Sequence, residues 1–110
     1  MDIGSLRHHV RLENPTETAD LDGGVTTTWT MLSPGVVPAS IEPATASRME
    51  RLMAGTVVAN VTHLVMLRYH PSVTIRTRLV FGSRILQVVG RQDPFERHEV
   101  LYLACVEQTT

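Results

Sequence analysis

Five histidines, one cysteine and a scattering of carboxylates are the groups in this sequence able to bind a metal or move a proton. Their spacing argues against both. His8 and His9 are adjacent in a strand-like run, so their side chains point to opposite faces and do not converge on one ion. His63 stands on the apolar side of its own run and reads as a hydrogen-bonded core histidine. Asp93 and Glu96 bracket Pro94-Phe95, and DPFER has the composition of a turn with ion pairs more than that of a general acid and base. Cys105 is the single cysteine, has no intrachain disulfide partner, and lies in an apolar strand pattern as a buried structural thiol would. No GxSxG, HExxH, GxGxxG or zinc-type spacing occurs. The reading is a protein that is not an enzyme and holds no metal and no cofactor.

The cations carry more information. All ten are arginine and none is lysine, which excludes Schiff-base chemistry and a P-loop lysine. Residues 1–30 hold two arginines against five acids, and residues 64–97 hold six against Asp93 and Glu96, so the first segment is near −3 and the second near +4. Such asymmetry lets an acidic face of one subunit meet a basic face of the next, as a head-to-tail ring needs. A nucleic-acid-binding barrel is a further class to weigh. Aromatics are only 5% and the net charge is −1, which leaves neither a stacking platform nor a strong counterion-release term. Trp29, Tyr69, Phe81, Phe95 and Tyr102 read as core residues instead.

With 110 residues, 43% apolar and 19% charged, the chain is one soluble domain with a modest core. Its start, MDIGSLRHHVRL, has no apolar leader segment, and its longest apolar runs fall well short of the roughly 18 residues a membrane helix needs. Production in the cytoplasm is expected. Leu6, His8, Val10 and Leu12 alternate with charged neighbours as a first strand, stopped by Pro15. Asp22-Gly23-Gly24 turns the chain into a second strand, Val25 to Met31, and a third runs from Val36 to Glu42, with Pro38 marking an edge or a bulge. Between Pro43 and Thr56 the period changes: Met49, Leu52 and Met53 fall at helical spacing behind a Ser47-x-x-Glu50 capping box, with Gly55 as a stop. Val57 to Tyr69 is the longest strand candidate, about 43 Å if extended at roughly 3.3 Å per residue, and is expected to bend or to project as the arm of a long hairpin. Leu79–Phe81 and Arg84–Val89 flank Gly82-Ser83 as a type II′ hairpin. Glu99 to Val106 is apolar on both faces and wants cover on both. The predicted fold is all-β, a small antiparallel barrel or sandwich of six or seven strands, a single domain over 1–110 with a loop and helix insertion at 44–56.

In this order the residues resemble the phage head-tail joining family, also called head-closure or stopper proteins. Ile3, Gly4, Leu6, Arg7, His8 and Val10 match its opening I-G-x-L-R-H-x-V/I motif. Asp20, Asp22, Gly23, Gly24 and Trp29 match a D-x-x-G-G turn and threonine-Trp strand, and Ala39, Ile41, Glu42 and Pro43 an A-x-I-E-P segment. Thr62, His63, Val65, Arg68 and Tyr69 match T-H-x-V-x-x-R-Y; Arg78, Gly82 and Arg84 an R-x-x-x-G-x-R hairpin; Asp93, Pro94, Glu96, Arg97 and Leu101 a D-P-x-E-R-x-x-x-L turn and strand. The chain departs from the pattern at Ser33 to Pro38, where SPGVVP stands, and in having no lysine.

The resemblance implies a virion protein of the head-tail connector, or neck, assembled in the bacterial host cytoplasm. It implies a β-barrel ring of the chain with itself, a dodecamer, beneath a portal or adaptor protein and above a tail terminator or tail protein. The ring would close the channel after double-stranded DNA is packaged and offer the tail a platform. In some relatives the loop after the third strand enters the channel; here that loop is Ser47, Arg48, Met49, Glu50, Arg51, Leu52 and Met53. Arg48 and Arg51 would meet phosphate and Glu50 would limit affinity. Arg68, Arg78, Arg84 and Arg97 are the expected subunit and adaptor contacts. The alternative is a tail-completion or tail-terminator protein.

Overall fold

The computed structural model describes residues 7–47, 49 and 60–108. Among these residues six strands are formed: β1 (His8–Ala19), β2 (Val25–Pro43), β3 (His63–Arg68), β4 (Arg78–Phe81), β5 (Arg84–Gln92) and β6 (Val100–Gln108). They close in the order β1-β2-β3-β6-β5-β4, with every pairing antiparallel. Closure leaves no open edge around the barrel wall, which removes the pairing hazard of a flat sheet.

The alternation that marked the strands places the core. Val10 and Leu12 of β1, Val65 and Leu67 of β3, Leu79 of β4, Leu86 and Val88 of β5, and Leu101, Leu103 and Cys105 of β6 point inward and are buried, with Val73 from the β3–β4 connection closing one end. Twelve such buried residues form one contiguous cluster, so period-2 patterning, not any special motif, specifies the wall. Burial pushes the Cys105 thiol up to about 12, the behaviour of a structural cysteine.

Several boundaries differ from those expected. β1 does not stop at Pro15 but runs to Ala19, because past Glu13 it is paired to β2 alone and a missing N–H on its other side breaks no ladder. The expected second and third strands are one strand, β2. Its register to β1 jumps from Arg11↔Val36 to Glu13↔Met31, so Leu32 to Gly35 form a bulge where the sequence had departed from the family pattern, with Leu32 packed against the core. Buried His70 pins that bulge: its Nε2 meets the Pro34 carbonyl at 3.2 Å, and the Ser72 N–H donates to its Nδ1 at 3.2 Å. A carbonyl only accepts and an amide N–H only donates, so the ring proton sits on Nε2. Pro38 pairs with His9, and the ladder to β3 begins at the next residue, Ala39.

The strand expected over Val57 to Tyr69 is shorter, starting at His63 after a bend at Asn60; Val57 to Ala59 lie outside the described residues. The projecting hairpin is instead β1–β2, paired without interruption from Glu13↔Met31 to Ala19↔Val25. The molecule measures 48 Å along its longest axis and 28 Å along the other two. Gly82, at φ +63, turns β4 into β5; Ser83 has no positive φ, so the turn is II′-like, as expected.

Candidate functional site

Strand direction assigns each candidate residue to one end of the barrel. β1, β3 and β5 run one way and β2, β4 and β6 the other: His8, Phe81, Arg84 and His63 share one end, and Glu13, Arg78, Arg68 and Gln92 the other. The insertion leaves β2 and returns to β3 at the first end. The β1–β2 arm, the 69–77 connection and the turn around Pro94–Glu96 extend from the second. The insertion is thus rooted at one end of the barrel and the arm at the other.

At the insertion's root the Ala44 N–H donates to the Thr62 carbonyl at 3.0 Å, and the Met49 N–H to the Thr45 carbonyl at 2.9 Å, one turn of helical hydrogen bonding. Thr62 ties this root to β6: its N–H donates to the Cys105 carbonyl at 2.9 Å, and its Oγ1 accepts from the Glu107 N–H at 2.8 Å. Ala44, Met49 and Val61 pack over Leu64 and Ala104 on the outside of the wall, beside Val89 and Tyr102. This cover explains why β6 is apolar on both faces. Of the loop expected to face a channel, Ser47 is exposed and Met49 packs here; Arg48, Glu50, Arg51, Leu52 and Met53 lie outside the described residues.

The four arginines expected at interfaces are not brought together. Arg84 sits at the insertion end, where its Nε and Nη2 both approach Glu107 Oε1 at 2.5 Å and its Nη2 lies 3.3 Å from His63 Nε2. His63 also meets Thr62 Oγ1 at 2.9 Å, so it is a half-buried, hydrogen-bonded histidine. Arg78 is at the arm end; its Nε donates to Glu13 at 2.7 Å and its guanidinium lies 4.1 Å from the Trp29 ring centroid. Arg68 and Arg97 are exposed at that same end. Arg76, not singled out by the sequence, pairs with Glu17 at 2.7 Å. The acids of residues 1–30 and the arginines of residues 64–97 therefore meet within one chain, because closure sets β1 beside β4. Trp29 is accordingly half-buried on the arm under Arg78, outside the barrel core, whereas Tyr69 and Phe81 pack against that core.

Asp93 and Glu96 do not form a proton-transfer pair. Asp93 Oδ2 is 2.6 Å from His98 Nδ1 and its Oδ1 accepts the His98 N–H at 3.2 Å, while Glu96 is exposed. His98 stacks on Tyr69 with centroids 4.4 Å apart, so the cluster locks the turn that enters β6. Among the described residues no three His, Cys, Asp or Glu side chains stand close enough to hold a metal ion. The surfaces with something to offer are the two ends.

A family model described as phage head completion protein matches residues 1–108. The chain belongs to that family. No curated protein matches it. Among solved structures, the chain is similar to the solution structure of protein SF1141 from Shigella flexneri 2a, at 20% identity and a TM-score of 0.71, over 99% of this chain and 98% of that one. It is also similar to a chain of the virion of a native gene transfer agent particle, at 19% identity and a TM-score of 0.64, over 96% and 97%. At such identities the likeness is one of fold, and it extends over the whole barrel. As a phage head completion protein the chain is a structural virion component.

Proposed function

We propose that this head completion protein forms a ring at the neck of the particle, where it closes the DNA channel after packaging and gives the tail its platform. The observation that carries the reading is the two-ended build of a head completion protein: an insertion rooted at one barrel end and an arm leaving the other. A module that joins two assemblies needs separate surfaces for each, and short barrel strands hold these surfaces in fixed relation. In this reading Ser47 to Met53 face the channel, with Arg48 and Arg51 toward phosphate, and the partners are a portal or adaptor protein on one side and a tail terminator or tail protein on the other. Twelve copies would match a portal-type axis. Arg68 and Arg97, exposed at the arm end, are the arginines of the expected four best placed to contact another subunit or the adaptor. Arg78 and Arg84 act in that contact through the surfaces that their ion pairs shape.

The test is electron microscopy of particles from a producer carrying a nonsense mutation in this gene. Tailless heads that have lost DNA, beside free finished tails, are expected. Filled, stable heads with defective tails would overturn the reading in favour of tail completion.

A further inference from the structure

The arm carries two patches that fit each other but cannot meet within one chain. The first is its tip. The Asp20 N–H donates to the Gly24 carbonyl at 2.9 Å, and Asp20 Oδ1 accepts the Asp22 and Gly24 N–H groups at 2.9 and 2.8 Å. A Cβ on Gly24 would stand 2.8 Å from Asp20 Oδ2, so the carboxylate sits against bare backbone there. This held turn presents Leu21 with 106% relative exposure between two acids, and no cation lies between Ala19 and Thr30. A preorganised turn offering a fully exposed leucine is the form of an anchor residue, because little entropy is left to lose on docking.

The second patch is at the arm's base, an open cleft of about 300 Å³ lined by Pro15, Glu17, Thr27, Trp29, Ile75 and Arg76. Ile75 is 61% exposed there and Trp29 offers a ring. The charges around it are Arg11, Arg76 and Arg78 against Glu13 and Glu17, an excess of one positive charge, whereas the tip carries Asp20 and Asp22. Six residues of ribbon at about 3.3 Å each put the tip about 20 Å from its own cleft. That reach is a large part of the molecule's 28 Å shorter extent, so the tip is placed to meet another molecule and not its own cleft.

We infer that the arm is an intersubunit clasp: Leu21 of one copy seats between Trp29 and Ile75 of the next, with Asp20 and Asp22 directed at the neighbour's Arg76. Tip and cleft are different surfaces, so the contact is heterologous, the kind that propagates around a ring and closes on itself. The occupant is a second copy of this chain, and the inference rests on the ring reading above.

The experiment pairs Leu21→Cys with Ile75→Cys in the full chain, incorporated into particles and oxidised mildly; buried Cys105 does not compete. A ladder of covalent multimers up to the ring's copy number is expected, with each single variant giving nothing beyond dimer. Rings visible by microscopy without a ladder would overturn the clasp and leave the ring reading standing; particles without a ring would overturn both. Cross-linking to a chain of different mass would also overturn it. As a second measurement, Leu21→Asp should lower incorporation into rings at least tenfold with an unchanged unfolding curve, since this side chain touches nothing in its own chain.

Discussion

At the scale of single residues, ion pairs and burial give sharp expectations. Glu13 is only 8% exposed, so its carboxylate depends on Arg78 and Arg11 for partners. Arg78→Ala removes the better placed of these and the stack on Trp29, and should cost about 2 kcal/mol in urea unfolding. Exposed Arg68→Ala should stay within about 0.5 kcal/mol. Cys105 gives a pH signature. Its folded value of about 12 stands above the 9.0 of a free thiol. The thiol keeps its proton in the folded chain while the unfolded chain loses it, so the native state has its full stability below pH 9 and loses it progressively as pH rises toward 12. Cys105→Ala should flatten that alkaline slope in an unfolding series from pH 8 to 11, while costing about 1 kcal/mol at neutral pH from the smaller side chain. The thiol's burial was legible because apolar alternation predicts it. The ion pairs were not: Arg78 and Glu13 are 65 residues apart in sequence, and their meeting depends on closure of the sheet.

Elements were legible where one rule governed them and misread where two competed. The alternation of β1 and the Gly82-Ser83 turn are local properties, and the structure reproduces them. Pro15 looked like a stop because proline removes a ladder donor, but a ribbon with a free side absorbs that loss, as the bulge does at Pro34. The long apolar run through Val57 was read as one strand, since alternation alone does not show where a partner strand ends. The double-faced apolarity of β6 did signal a covering segment, and Ala44, Met49 and Val61 supply it. Truncating the covered side chain, Leu64→Ala, should destabilise by about 2 kcal/mol and speed proteolysis within 44–62, because the root loses its apolar seat while the inner core stays intact. Limited trypsin digestion of mutant and wild type reads this directly. Equal cleavage rates would mean that the hydrogen bonds of Thr62 alone hold the root.

For the whole molecule, the proposed reading gives the barrel and its two excursions separable tasks. None of the twelve core residues comes from the stretch 14–31, so the arm contributes little to the stability of the barrel. Joining Pro15 to Trp29 through Asn-Gly should therefore preserve the fold: these residues face each other across the ribbon, and a two-residue turn closes such a pair without strain. The shortened chain should unfold within about 1 kcal/mol of wild type, the cost being the Arg76–Glu17 pair, exposed on both sides and weak for that reason. Its particles should lack the ring. Deleting 46–54 removes the other excursion and should leave barrel and ring in place while heads lose DNA, if the insertion closes the channel. The two deletions thus predict different particles from one scaffold, heads without a ring in the first case and heads with a ring that leaks in the second. Microscopy of both sets of particles, with DNA content measured in parallel, decides between this division of labour and a barrel in which either excursion serves folding alone; in the latter case both variants would fail to accumulate as folded protein.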